Sequence, residues 1–410
     1  MITRRTFGAG AGAACLASIA PAAKVASGAR PWPYLIGADV SWIPEDEFAG
    51  ARYFENGVAK DPLAILRDAG FNAIKLRLFV DPAKGYSSGK SGGPWCDLPR
   101  TIAFAKRIKA AAFHLSLTLH YSDTWADPQH QDKPAAWAAL TFPQLVEAVH
   151  RHTVDALSAM KRAGAAPDLV VIGNETTFGM LWPDGRVPLT IPTGNPQTDA
   201  VHMNVPGAGG YDRFALLLKA GIAGAREATP EARVAVHNHL GRHWPIVRYW
   251  MDNLLQRGVK FDATGFSCYQ QQAQGDWART FTEFAKAYPN HGFLALEYSS
   301  RKRYVNDLVH AQPHGWGSFI WEPTRHQEAI FTHNGTPAGE GPKPDLLSQG
   351  INAAEAPGAV ATPTAPTPPN GTTPSTGHGG RYDADPEFLT LYRTMARDYG
   401  LSPARPNRRL

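Results

Sequence analysis

Eight times along this chain a short β-rich run is followed by a longer amphipathic one, and no other feature restricts the fold so strongly. The strand-like runs cover residues 34–41, 71–79, 114–120, 168–174, 233–237, 261–267, 292–297 and 316–321. Between and after them the spacing predicts helices over 61–69, 99–112, 142–163, 211–226, 246–256, 277–288, 305–310 and 386–399. Strands separated by helices pair in parallel, and eight such units close into a (β/α)8 barrel of the TIM type. Runs such as Leu169-Val170-Val171-Ile172 are apolar at every position, as strands covered on both faces are. An open doubly wound sheet is the rival, but no G-x-G-x-x-G turn follows any early strand.

The two ends and one late segment fall outside this pattern. Thr3-Arg4-Arg5-Thr6-Phe7 precedes a weakly apolar, glycine-rich stretch and then Ser27-Gly28-Ala29. That order reads as a signal peptide of the twin-arginine type over residues 1–29, with a short anchor helix as the competing reading. The barrel then occupies 30–352. Residues 353–380 are Pro, Thr, Ala and Gly with few hydrophobes and read as a low-complexity insertion. Residues 381–410 hold the final barrel helix and a basic tail. After position 30 no apolar run reaches the roughly 18 residues of a membrane span. The formal charge of +5 comes from scattered Lys and Arg without a basic stripe, which argues against nucleic acid as a partner. Cys96 and Cys268 form no disulfide framework and read as two unpaired buried thiols, with a single bridge between them as the alternative. A monomer is expected.

In a barrel of this kind the reactive side chains stand at the C-terminal ends of the strands. Those positions hold Asp39, Arg77, His120, Tyr121, Asp123, Asn174, Glu175, His237, Asn238, Tyr269, Glu297, Trp321 and Glu322. Glu175 and Glu297 stand out because each ends an otherwise apolar strand, where an unpartnered carboxylate is costly. They are 122 residues apart, three repeats of about 40, which puts them on strands four and seven across the barrel mouth. Two carboxyl groups so placed suit glycoside cleavage, one as general acid/base and the other as nucleophile. The plainer alternative is that each salt-bridges an arginine on the rim.

Several runs also carry a resemblance. Gly37-Ala38-Asp39-Val40-Ser41, Ile74-Lys75-Leu76-Arg77-Leu78-Phe79, His120-Tyr121-Ser122-Asp123-Thr124-Trp125-Ala126-Asp127-Pro128 and Gly173-Asn174-Glu175-Thr176 resemble the endo-β-1,4-galactanases of glycoside hydrolase family 53. Residues 261–269 are similar to the sixth-strand motif of that family. The resemblance implies a secreted, endo-acting, retaining hydrolase of β-1,4-galactan, the arabinogalactan side chain of pectin. It implies Glu175 as acid/base and Glu297 as nucleophile, with Asn174 on the sugar 2-hydroxyl and Trp321 as the floor beneath the ring. Arg77 and Tyr269 would hold Glu297 ionised, and Asp39, His120, Asp123 and His237 would be sugar-hydroxyl or supporting partners. No cofactor is implied, although some bacterial members carry a structural calcium for which this sequence shows no clear ligand cluster.

This chain departs from the family pattern at Tyr269-Gln270-Gln271-Gln272, at His237-Asn238-His239-Leu240-Gly241-Arg242 and at Glu297-Tyr298-Ser299-Ser300-Arg301. These runs border the outer sugar subsites, so another β-linked glycan remains an alternative substrate. The pair His237-x-His239 prompts a metal-dependent hydrolase as a further rival, and a non-catalytic carbohydrate-binding barrel is a third. Retention of both glutamates argues against the last.

Overall fold

The computed structural model describes residues 30–269, 277–325, 329–334, 336–337 and 379–401. The expected signal peptide, most of the low-complexity segment and the basic tail lie outside them.

Eight parallel strands close a barrel: β1 (Leu35–Asp39), β2 (Ala73–Leu78), β3 (His114–Leu119), β4 (Leu169–Ile172), β5 (Arg233–Asn238), β6 (Ala263–Cys268), β7 (Gly292–Tyr298) and β8 (Gly315–Trp321). Each strand pairs with its sequence neighbour, and β1 closes the ring against β8 in the register Asp39 to Trp321. The outer layer is α1 (Pro62–Asp68), α2 (Leu98–Ala110), α3 (Phe142–Arg162), α4 (Gly210–Ala228), α5 (Trp244–Gln256), α6 (Trp277–Ala287), α7 (Lys302–His310) and α8 (Pro386–Asp398). Local chemistry starts these helices. Asp61 accepts hydrogen bonds from the Leu63 and Ala64 amides, with Pro62 in the first turn, and Asp385 does the same for Glu387 and Phe388 ahead of α8.

The barrel interior is filled by side chains including Leu35, Leu169, Val171, Leu294, Leu296, Trp316 and Phe319. Room for the Phe319 ring comes from Gly37 on the neighbouring strand, where a Cβ would lie 2.2 Å from a ring carbon. Gly37→Ala is therefore expected to destabilise the protein by about 1–3 kcal/mol through overpacking. A lowered denaturant midpoint at unchanged slope is the measurement that checks it.

A second, five-stranded sheet lies at the C-terminal end of the barrel, in the order Thr336–Pro337, Phe331–His333, Gly380–Ala384, Ala51–Glu55, Val58–Ala59. It joins the connection after β1 to the chain after β8, with Tyr53 stacked on Tyr382 at 5.1 Å. Its strand Gly380–Ala384 begins at the last residue of the span read as low-complexity. From there the chain enters α8, whose Tyr392 packs on Phe71 at 4.3 Å and meets the Tyr298 hydroxyl at 2.8 Å. Cys96 and Cys268 are both buried and free, in agreement with the expectation of unpaired thiols.

Candidate active site

Strand β4 leaves the barrel through an unusual backbone path. Gly173 has φ 75°, and Glu175 lies in the left-handed region at φ 48°, ψ 46°. Glycine adopts that region freely, whereas a residue with a Cβ is disfavoured there and persists only where its surroundings hold it. The holding contacts come from three neighbours. Asn174 donates through Nδ2 to the Ala126 carbonyl at 2.8 Å, and Gln131 donates to the Asn174 carbonyl at 2.8 Å. Thr176 donates through its hydroxyl to the His237 carbonyl at 3.1 Å.

A row of polar atoms then runs from Asn174 to the carboxyl group. His237 Nδ1 lies 3.2 Å from Asn174 Oδ1, His237 Nε2 lies 3.0 Å from Ser267 Oγ, and Ser267 Oγ lies 2.5 Å from Glu175 Oε1. The Ala126 contact fixes the Asn174 amide with its oxygen toward His237, so a neutral His237 carries its proton on Nδ1. Its Nε2 is then an acceptor for the Ser267 hydroxyl, and Ser267 Oγ is left to accept from Glu175. The row is satisfied when Glu175 is in its acid form. Burial and, after it, the charge of Glu297 push the Glu175 carboxyl well above the ordinary range. Burial together with Lys75 holds His237 well below the usual imidazole value.

Glu297 has the opposite surroundings. Its Oε1 accepts from the Lys75 ammonium at 2.9 Å and its Oε2 accepts from the Tyr269 hydroxyl at 3.1 Å. The two carboxyl groups are brought together by β6, where Ser267 is the register partner of Glu297 and touches Glu175. Beneath them lies a row of alternating charge. Lys75 is 3.4 Å from Asp39, Arg77 is 3.7 Å from Asp39, and Arg77 is 2.5 Å from Glu322. Asp39, Lys75, Arg77, Glu297 and Glu322 are all 6% exposed or less. Burial works against the Lys75 ammonium, yet the charges of Glu297 and Asp39 more than offset it and its pKa lies above the usual value. Burial drives the Glu322 carboxyl up to about 8 despite the adjacent Arg77.

The cation on Glu297 is therefore Lys75 and not Arg77, which corrects the expectation drawn from the resemblance. Register explains the exchange. Lys75 stands beside Asp39, level with the barrel's upper interior, whereas Arg77 is one inward step further along β2 and reaches Glu322 beyond the end of β8. The Arg77 guanidinium also lies 4.3 Å from the centroid of the Trp125 ring and 5.3 Å from that of Trp42. Trp42 and Trp321 meet edge-on at 5.3 Å, and Trp125 meets Trp321 at 6.1 Å. All three indoles are partly exposed at the mouth.

The remaining expected site residues serve the loops. His120 Nδ1 accepts from the Ala126 amide at 3.1 Å and so fixes the turn that carries Trp125. Asp123 accepts from the Asp81 amide at 2.9 Å and the Ala135 amide at 2.8 Å, pinning two loops with both carboxylate oxygens. Asp39 accepts from the Ser41 hydroxyl at 2.7 Å as well as facing the two cations.

The sequence profile of glycosyl hydrolase family 53 matches residues 35–301. The chain belongs to glycosyl hydrolase family 53. An uncharacterized protein of Niallia circulans is 38% identical to this family 53 chain over 237 residues, 58% of this chain and 59% of its own length. A protein of Thermothelomyces thermophilus named arabinogalactan endo-β-1,4-galactanase is 33% identical over 57% of this chain and 63% of its own. The chain thus spans about three-fifths of the length of these curated relatives. Among solved structures, the family 53 catalytic domain of Ignisphaera aggregans superposes with a TM-score of 0.63 at 26% identity, covering 88% of this chain and 95% of that one. A fungal β-1,4-galactanase structure superposes at 0.59 with 28% identity over 70% and 89% of the two chains.

Four residues of this family 53 site carry no role from sequence alone: Lys75, Ser267, Trp42 and Trp125. Lys75 and Arg77 alternate on β2 in a run otherwise apolar, and a period of two would have turned both inward. Ser267 has no comparable mark, because a hydroxyl in a strand is commonplace.

Proposed function

We propose that this chain is an endo-acting, retaining glycoside hydrolase that cleaves β-1,4-linked galactan, as in the arabinogalactan side chains of pectin. The observation that carries the reading is the asymmetry of the two carboxyl groups. Glu175 is buried against a hydroxyl, with burial and the Glu297 charge raising its pKa well above the ordinary range; Glu297 accepts from an ammonium and a phenol. Glycoside cleavage by double displacement requires one of each.

In the first step Glu297 bonds to the anomeric carbon as the bond to the departing sugar oxygen breaks, and that oxygen takes the Glu175 proton. Esterification removes the negative charge of Glu297, so Glu175 then takes a proton from the water that attacks the same carbon and frees Glu297. The second Nδ2 hydrogen of Asn174 is available to the 2-hydroxyl, and Trp321 with Trp42 and Trp125 offers apolar faces to the sugar ring. The galactan assignment rests on the relatives named above. These side chains supply the acid, the base and the nucleophile, so no cofactor is required. Action outside the cell rests on the Arg4-Arg5 leader pattern; among the described residues no helix is long and apolar enough to cross a membrane. The polysaccharide is its partner, and the active unit is a monomer.

A reducing-sugar assay of the purified protein on galactan, arabinogalactan, mannan, xylan and cellulose tests the substrate class. Galactan is expected to be cut internally, with the β-anomer appearing first by NMR and with rates unchanged by EDTA. A preference for another backbone would move the enzyme to a different substrate, and an initial α-anomer would indicate inversion.

A further inference from the structure

The motif His237-x-His239 is only half used by the site described above. His237 joins the row to Glu175, whereas His239 reaches in a different direction, onto the turn Thr176–Phe178 that follows the acid/base. Its backbone N–H donates to Thr177 Oγ1 at 2.9 Å, and its Nδ1 lies 2.8 Å from the same oxygen. With the backbone N–H already donating, the Thr177 hydroxyl proton goes to Nδ1, which must then be the unprotonated ring nitrogen. A proton on Nδ1 would occupy the second lone pair of that oxygen and leave the hydroxyl proton without its acceptor in the clamp.

We propose that neutral His239 is a positioning residue for Glu175: through Thr177 it holds the left-handed turn that aims the carboxyl, and its protonation releases that turn. The inference rests on Glu175 being the acid/base. The backbone needs such a restraint, because Glu175 occupies a region that residues with a Cβ avoid. Only Thr176 separates Glu175 from the residue that carries the clamped hydroxyl.

The surroundings oppose a charge on this ring. The titratable groups facing His239 are His237 on β5, His202 at the end of the helix Pro196–His202, and His243 ahead of α5. Arg186 faces His202 in turn, and Asp199 faces His243. The His239 and Phe178 rings meet edge-on at 5.1 Å, and His202 stacks on that phenyl at 3.8 Å. Burial first, and the neighbouring imidazoles second, keep His239 well below the usual histidine value. The clamp is therefore closed at neutral pH and opens as pH falls through that depressed value.

The test compares pH profiles of kcat, each normalised to its own value at neutral pH, for wild type, His239→Asn and Thr177→Val. Asparagine offers a carbonyl acceptor in place of Nδ1 and does not titrate. At the pH where wild type keeps about a tenth of its neutral kcat, the Asn variant is expected to keep about half or more. Thr177→Val removes the clamped oxygen and is expected to lower kcat about tenfold at every pH with KM within about twofold. Superimposable acid limbs for wild type and His239→Asn would overturn the proposal, as would a Thr177→Val loss that appears in KM alone. Nitrogen NMR of the His239 ring supplies a readout free of turnover: Nδ1 is expected unprotonated at neutral pH, and a protonated Nδ1 would overturn the clamp. Wild type inert on every glycan would instead defeat the hydrolase reading.

Discussion

Glu297→Ala is expected to lower galactan turnover by about four to six orders of magnitude, because no other group can form the bond to the anomeric carbon. Circular dichroism should remain that of the wild type. Glu175→Ala is expected to cost about 10²–10⁴-fold, the usual worth of a general acid. The Glu175 loss should shrink with an aryl galactoside whose leaving group needs no proton, while the Glu297 loss should persist. Added azide separates the two further. In Glu175→Ala it can attack the glycosyl ester and yield a β-glycosyl azide; in Glu297→Ala it can attack the substrate from the vacated side and yield the α-product. The pH dependence follows the same assignment. Glu175 must begin protonated, and burial followed by the Glu297 charge raises its pKa well above the ordinary range. Wild-type kcat/KM therefore falls as pH rises through that raised value, and Glu175→Gln should lack this alkaline limb. Wild-type rates in either Ala variant would end the assignment.

Lys75→Met is expected to destabilise the fold by about 3–5 kcal/mol, since it leaves Glu297 and Asp39 buried without their shared cation. Lys75 is 1% exposed, so solvent does not screen the loss. Lys75 itself has a raised pKa, so its contribution is complete at neutral pH and is lost only as pH rises through that value. kcat should fall as well, because the ammonium that orients Glu297 is gone. Arg77→Met strands Glu322 and Asp39 instead, and it should destabilise the protein while Glu297 keeps its cation. Denaturant titrations across pH, paired with kcat, check both variants. A wild-type kcat in Lys75→Met would show that the ammonium does not support the nucleophile.

The barrel was legible because its signal is local. Each of its eight strands lies within two residues of the span read from β-rich composition and helix caps. The second sheet was not legible: its longest strands, Ala51–Glu55 and Gly380–Ala384, are five residues each and pair across more than three hundred positions of chain. Nothing in either segment names the other. Glu175 and Glu297 could be found because a carboxylate ending an apolar strand is conspicuous. Their partners depend on register, which composition does not contain. Asp39 is level with Lys75 rather than Arg77, and that single step decides which cation reaches Glu297. Asp123 was expected as a sugar-hydroxyl or supporting partner, and which of its neighbours it holds also depends on loop paths: both oxygens accept from backbone amides.

The guanidinium of Arg77 has one further implication. It lies against the indoles of Trp42 and Trp125 on one side and the carboxylates of Asp39 and Glu322 on the other. Under the proposed function, the sugar-facing indoles and the charged interior thus lean on one side chain, and neither can drift during evolution without disturbing the other. Diversification toward new glycans is consequently steered away from the strand tips and into the surrounding connections, where change carries no such double penalty.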